Sequence, residues 1–361
     1  MAINSSAQSS RSTIIEAVEA VIPFLSGDGS KQVQEILSKV SPAISSDDKT
    51  ITSNQEFQKD IDFLKIVSSI PFGKFFDYKT IDFPKVIKEL GSSHYGLQKA
   101  KSALTEALFM RYKGFKSSDV ICFVGPPGCG KTSLSNSYGK LLDIDCKSIA
   151  LGGVSDEVVL RGMFRSYLSS RYGRPIDALK NSRYMNGVII LDEIDKLGEH
   201  HRGSAQAALL ELLDPEQNSA FVDQYLGFPV DFSNITFLCT ANYVERIPVE
   251  LADRLKIVHV PGYSNEEQMK IMKDFLIPKY FKMWEISPET DFEEEAIGLL
   301  LSKEAKGVRT IESNLATALR SFLLKSELGD KIKLNADFIK STLVSDDPIR
   351  NRRLIGFCRE Q

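Results

Sequence analysis

The spacing of apolar and polar residues changes character twice along the chain. Before Val120 the apolar residues recur at helical spacing. Ser30 to Val40 reads as a short amphipathic helix, followed by a polar stretch with serine and aspartate. Leu64, Ile66, Val67 and Ile70 form a stripe that stops at Pro71, and Ile81 to Leu90 has similar spacing. Gly96 to Tyr112 predicts a long helix with Ala100, Leu104, Ala107 and Leu108 on one face. From Val120 the rhythm becomes strand, loop, helix, repeated. Val120–Val124, Lys147–Leu151, Val188–Leu191, Ile235–Thr240 and Lys256–Val260 read as strands. That alternation predicts an α/β fold with a doubly wound, mainly parallel sheet. Pro261-Gly262 then breaks the pattern, and Ser264-Asn265-Glu266-Glu267 reads as a capping box that opens a helical region. Glu266–Tyr280, Phe292–Leu301, Val308–Lys325 and Ala336–Leu343 read as its helices.

Two of the strands end in chemistry. Ile121 to Val124 runs into Gly125-Pro126-Pro127-Gly128-Cys129-Gly130-Lys131-Thr132, a complete G-x-x-x-x-G-K-T. Its glycines permit a tight turn whose backbone N–H groups face a phosphate, and the helix that follows adds a favourable dipole. Lys131 is placed to reach the β- and γ-phosphates, and the Thr132 hydroxyl to ligate Mg²⁺. The second strand, Val188 to Leu191, ends in Asp192-Glu193. Ligands of a parallel sheet bind beyond such C-terminal ends. Asp192 is expected to hold Mg²⁺, and Glu193 to orient and deprotonate the attacking water. An acidic helix start would use the same two acids, but the phosphate loop upstream favours the nucleotide reading. ATP and Mg²⁺ are the expected ligands.

Composition narrows the picture further. At 361 residues the chain has room for two or three domains, and 42% hydrophobic with 26% charged residues is ordinary for a folded protein. A net charge of −3 gives no general pull toward nucleic acid or anionic membrane, and no apolar run approaches a spanning helix. Five cysteines (Cys122, Cys129, Cys146, Cys239, Cys358) show no metal-ligand spacing, which suits a reducing compartment. Met1 to Arg11 is serine-rich with one arginine, expected to be a disordered tail, with a weak likeness to an organellar transit peptide.

From about Asp60 to Arg352 the sequence resembles the central part of Lon, the ATP-dependent protease of the AAA+ class. His94-Tyr95-Gly96-Leu97, the phosphate loop through Leu134, Leu151-Gly152-Gly153-Val154 and Leu191-Asp192-Glu193-Ile194-Asp195-Lys196-Leu197 carry the resemblance. So do Ala208-Leu209-Leu210-Glu211-Leu212-Leu213-Asp214-Pro215-Glu216-Gln217-Asn218, Val260-Pro261-Gly262-Tyr263 and Gly307-Val308-Arg309. The Leu-Asp-Pro-Glu-Gln-Asn run is far more diagnostic than the phosphate loop. The resemblance implies a P-loop AAA+ module with a helical lid. It divides the chain into an N-terminal segment, poorly structured or partly helical, at 1–55, a helical linker at 56–92 and an ATPase core at 93–261. A lid at 262–347 and a tail at 348–361 complete the division.

The resemblance also assigns roles. Asn242, in Thr240-Ala241-Asn242, matches the sensor that positions the lytic water; a turn asparagine is the lesser reading of the residue alone. Arg254 matches the arginine finger that reaches the neighbouring subunit's γ-phosphate; the residues alone favour a local ion pair with Asp253. Arg309 matches the second sensor on the lid, and Tyr95 lies where the family packs adenine. Tyr167-Leu168 matches the aromatic-aliphatic pair that grips polypeptide in the central pore, although such a pair is ordinarily core. Its surroundings depart from the family pattern: Ser169-Ser170-Arg171-Tyr172 follow where Gly and Pro are usual, and Met163-Phe164 replace basic or His residues.

The family's Ser-Lys peptidase domain follows its lid, and nothing from Lys325 onward offers such a dyad, so the expectation is a motor without its own peptidase site and without most of the N-terminal domain. The expected activity is ATP hydrolysis in a homo-hexamer, coupled to unfolding or translocation of protein substrates for a separate peptidase or full-length Lon. A non-autonomous subunit or fragment of Lon is an alternative, and so is a nucleic-acid remodeller, which the missing basic stripe disfavours. Arg350, Arg352 and Arg353 read as a solvated tail. The expected compartment is the cytoplasm, with the mitochondrial matrix or another organelle as alternative.

Overall fold

A computed structural model describes residues 13–45, 55–116, 120–198, 205–287, 290, 292–301, 307–329 and 332–344. The serine-rich start, the basic cluster at Arg350 to Arg353 and Cys358 lie outside them. The chain forms two compact units, one from Met1–Val124 with Lys131–His259 and the other from Gly125–Gly130 with Val260–Gln361.

Among the described residues the first unit is built on seven strands. In chain order they are β1 (Val120–Val124), β2 (Cys146–Ala150), β3 (Val188–Asp192), the short β4 (Phe221–Val222) and β5 (Pro229–Val230), β6 (Thr236–Ala241) and β7 (Leu255–His259). Five of them form one sheet in the order β2-β3-β6-β1-β7, with every pairing parallel. β4 and β5 pair antiparallel. Every residue of β1 and β6 is buried, so both faces of the sheet centre are covered. That is why these strands read as unbroken apolar runs rather than as alternation. The edge strand β2 is mostly half-exposed and accordingly mixes Lys147 and Ser148 with buried Ile149.

The order decides where the chemistry falls. After β1 the chain crosses to the far edge, then returns through β2, β3 and β6 until it lies beside β1 again. The C-terminal ends of β1, β6 and β3 therefore stand side by side, with Val124 level with Ala241 and Leu191 with Cys239.

The N-terminal region is more helical than its sequence advertises. Residues 13–21 are helical, and Gly27–Ser45 is one helix rather than the short Ser30–Val40 segment. Gly27, Gly29 and Pro42 hide it, because helix interiors disfavour both residue types. Gly29 has a packing reason: a Cβ there would stand 2.8 Å from the Phe228 ring. Helix Gln55–Ser69 adds buried Phe63, Leu64 and Val67, which share a hydrophobic core with the sheet residues.

The second unit is helical. Asn265–Ile271 begins with a complete capping box: Glu267 N donates to Ser264 Oγ at 3.2 Å, and Ser264 N to Glu267 Oε2 at 2.9 Å. The long helix expected to Tyr280 is interrupted by a π-turn over Met272–Leu276 before Ile277–Met283 resumes. Pro278 accounts for this, since it has no N–H to donate and its ring crowds the carbonyl one turn back. Glu294–Leu300, Arg309–Glu327 and Ala336–Val344 complete the unit. A parallel bridge, Phe292 to Leu334, ties two of its loops together.

Removing the cap tests this account of the helix start. Ser264→Ala should cost about 1 kcal/mol locally and speed amide hydrogen exchange in Asn265–Ile271 roughly fivefold. Ser264→Asp should hold exchange near the wild-type rate, and unchanged exchange in the alanine variant would show the cap to be energetically idle.

Candidate nucleotide site

In the first unit the strand ends converge on a hydrogen-bonded cluster. Lys131 and Thr132 open the helix Lys131–Leu141. Thr132 Oγ1 donates to Asp192 Oδ1 at 2.9 Å, and Lys131 Nζ donates to Asn242 Oδ1 at 3.0 Å. Lys131 is buried, and its carbonyl accepts from Ser135 Oγ. The structure thus joins four of the sequence-predicted residues, at or just beyond the ends of β1, β3 and β6, in two hydrogen-bonded pairs.

Thr240, one residue from the end of β6, is the link that the sequence did not single out. Its hydroxyl donates to Asp192 Oδ1 and accepts from Glu193 N at 3.1 Å. One side chain therefore fixes both acids. Glu193 itself sits in the left-handed region at φ +61°, costing about 1 kcal/mol for a non-glycine residue. That conformation turns the chain out of β3 at once, and a Cβ on Gly152 would stand only 2.7 Å from Glu193 Oε2. Lys196 Nζ binds Glu193 Oε1 at 2.6 Å, so the acid expected to activate water is held by an exposed ion pair.

Arg254 lies immediately before β7. Its local partner is not Asp253. Nη2 meets Asp214 Oδ2 at 3.2 Å and Nη1 donates to Glu250 O at 2.9 Å. Asp214 belongs to the diagnostic Leu-Asp-Pro-Glu-Gln-Asn run. Its other oxygen accepts from Glu216 N, and this bond, with Arg254 beside it, holds the carboxyl below its usual range.

Tyr95 is half-buried in the bend before helix Gln98–Tyr112, where Gly96 and Leu97 both take positive φ. The neighbouring His94 ties this bend to the helix that carries Lys131, through Nε2 to Ser133 Oγ at 3.0 Å. Burial, and then the nearby Lys101 ammonium, push the His94 ring down to about 4, so it is neutral at pH 7.

Tyr167 and Leu168 are not core. They stand 57% and 96% exposed on a loop, beside exposed Phe164. The base of that loop is pinned: Met163 N donates to Arg171 O at 2.7 Å, and Gly173 N to Asp223 Oδ2 at 2.7 Å. Asp223 is fully buried and also accepts from Tyr225 N and Leu226 N. Burial raises its carboxyl to about 6 against those three bonds.

In the second unit the loop Gly125–Gly130 packs on lid residues. Gly128 and Gly130 have φ of +79° and +86°, a cradle that side-chain-bearing residues would strain. A Cβ on Gly125 would strike the Val260 carbonyl at 1.9 Å. Val308 N donates to Gly128 O at 2.8 Å, and Arg309 N lies 3.1 Å from where a Gly128 Cβ would stand. Arg309, the expected second sensor, thus abuts the phosphate loop through its backbone. Tyr263 Oη donates to Cys129 O at 3.3 Å, a contact the sequence did not indicate.

These groups fit Mg²⁺-ATP. The hydroxyl–carboxylate pair Thr132–Asp192 supplies hard oxygen donors. Among the described residues no group of three or more acidic, His or Cys side chains could hold a metal alone. Mg²⁺ is commonly held by one or two carboxylates together with substrate phosphates.

The profile of the ATPase family associated with various cellular activities (AAA) matches residues 121–262. The chain is an ATPase of that class. Along most of its length the sequence is similar to Lon proteases. It is 36% identical to the Lon protease of Helicobacter pylori (strain J99) over 86% of this chain and 38% of that protein. It is 41% identical to the peroxisomal Lon protease homolog 2 of Zea mays over 73% of this chain and 30% of that protein. With the mitochondrial Lon protease homolog 1 of Dictyostelium discoideum the identity is 36% over 89% of this chain and 34% of that protein. The chain therefore spans between a third and two fifths of the length of most of these relatives, and less of the maize protein.

Two outcomes test the cluster. Thr240→Val deprives Asp192 of a donor and Glu193 N of its acceptor, so ATP turnover should fall roughly tenfold to a hundredfold through misplaced acids; unchanged steady-state turnover would show Thr240 to be dispensable. For His94, the folded pKa lies below the ordinary 6.5, so the unfolded chain binds more protons between about pH 6.5 and 4. Stability should fall as pH drops through that window, and His94→Gln should flatten this part of the melting-temperature profile.

Proposed function

We propose that this chain is the ATP-driven motor of a Lon-type protein quality-control system. The observation that carries the reading is the match to Lon relatives along 73–89% of this chain, with Lys131, Thr132, Asp192 and Asn242 joined at neighbouring strand ends. In this reading the backbone N–H groups of Gly125–Gly130 cradle the phosphates and Lys131 binds their terminal oxygens. Thr132 and Asp192 hold Mg²⁺, which when bound neutralises charge on the phosphate oxygens. Glu193 leaves its ion pair with Lys196 to take a proton from the attacking water, and Asn242 orients that water. Tyr95 packs against the adenine.

Arg254 acts on the neighbouring subunit, which requires a ring; we infer a homo-hexamer of ATPase cores at 93–261, each with a lid at 262–347. Arg309 reports the γ-phosphate to that lid. The exposed pair Tyr167-Leu168 grips an unfolded polypeptide and passes it toward the peptidase activity of a Lon-type assembly. Among the described residues no helix is long and apolar enough to cross a membrane. We place the protein in the cytoplasm or in an organelle, the latter in keeping with relatives named peroxisomal and mitochondrial.

ATP hydrolysis measured beside the mass in solution tests the reading. The wild type should turn over ATP as a ring. Glu193→Gln should bind ATP and lose turnover by at least about a hundredfold, and Arg254→Ala should lose it by about a thousandfold while still binding. Tyr167→Ala should keep ATP turnover and lose unfolding of a tagged fluorescent substrate. A wild type that binds ATP, stays monomeric and hydrolyses none would overturn the self-sufficient motor.

A further inference from the structure

The buried acid Asp195 has no part in the chemistry described so far. It lies three residues beyond Asp192, on the short helical turn Ile194–Lys196, and is 6% exposed. Burying a carboxylate is costly unless it is well paired. Asp195 commits one oxygen entirely to backbone: Oδ2 accepts from Asn242 N at 3.0 Å and from Tyr243 N at 3.2 Å. The other oxygen, Oδ1, is buried with no hydrogen-bond partner among the described residues.

What those two N–H groups control is the direction of Asn242. The residue follows the last residue of β6, where ladder hydrogen bonds no longer fix the chain. Its side-chain oxygen receives Lys131 Nζ. Asp195, Asn242 and Lys131 thus form a continuous series from the turn after β3, across the end of β6, to the start of the helix after the phosphate loop. Thr240 fixes the two acids on the same strand end through separate bonds, so the Asp195 series is a second, independent tie between β3 and β6.

We propose that Asp195 is the positioning residue for Asn242: it sets the main chain after β6 so that the Asn242 side chain faces Lys131 and the water that is activated beside it. The inference rests on the proposed role of Asn242. Its consequence is a defect in turnover rather than in nucleotide binding, because the phosphate loop keeps its own conformation and the helix start at Lys131 keeps its bond from Ser135 Oγ.

The test uses the full chain, a fluorescent ATP analogue for binding and steady-state hydrolysis for kcat. Asp195→Ala should lower kcat roughly tenfold to a hundredfold and leave the analogue's Kd within about threefold. Asp195→Asn, which can turn its amide oxygen to the same two N–H groups, should keep kcat within about threefold of wild type and covers the case of an alanine variant that does not fold. The double variant Asp195→Ala, Asn242→Ala should be no slower than Asn242→Ala alone, since the two residues act through one group. Fully multiplicative losses would overturn the inference while leaving Asn242 in its role. Turnover in Asp195→Asn as slow as in the alanine variant would overturn it too, showing that charge rather than positioning matters. Wild-type turnover in Asn242→Ala would remove the Asn242 role itself, and the inference with it.

Discussion

Parallel pairing of β3, β6 and β1 is the constraint from which the site follows. Parallel strands present all their C-terminal ends to one side of a sheet. Here the order β2-β3-β6-β1-β7 makes neighbours of the three strands that carry the chemistry. A register that sets Leu191 beside Cys239 and Val124 beside Ala241 then brings Asp192, Thr240, Asn242 and Lys131 to one level. Shifting any of these strands by one residue would turn its side chains to the opposite face and dissolve the cluster. The fully buried centre of the sheet defends that register, because a slip would also unpack residues such as Cys122, Ile190 and Leu238.

Around this frame two side chains each serve more than one group. Thr240 binds two acids with one hydroxyl, and Asp214 receives both Arg254 and the backbone of its own turn. The loop Gly125–Gly130 follows a different logic. It is held by its conformation and by close approach of backbone to backbone, as at Gly307, where a Cβ would meet the Pro127 carbonyl at 2.1 Å. Side chains organise the acids, whereas the absence of side chains organises the phosphate loop.

Much of this was legible in the residues, for reasons that also explain the gaps. Val120–Val124 coincides with its strand because a strand buried on both faces must be apolar throughout. The capping box at Ser264 and the strand-end acids are local signals, and local signals survive in a sequence. The pairing of Arg254 with Asp214 and the role of Thr240 depend on contacts 40 to 48 residues apart in the chain, which no periodicity reports. Asp195 looks in the sequence like one more acid of an acidic helix start. Only the fold reveals that it is buried and faces the next strand. The N-terminal helix Gly27–Ser45 was half-hidden because Gly29 is there for Phe228 rather than for the helix. The same limit made Tyr167-Leu168 resemble core, when the pair is exposed on a pinned loop.

The left-handed backbone of Glu193 carries an implication for how such a chain can be improved. Glycine adopts φ +61° freely, and asparagine does so more readily than glutamate. Selection for thermal resistance alone would therefore erode the carboxylate at this position, replacing it with a relaxed turn. Its presence marks a point where the fold holds a local conformational strain in favour of a chemical group, and a stabilised scaffold made from this chain should draw its added stability from other positions.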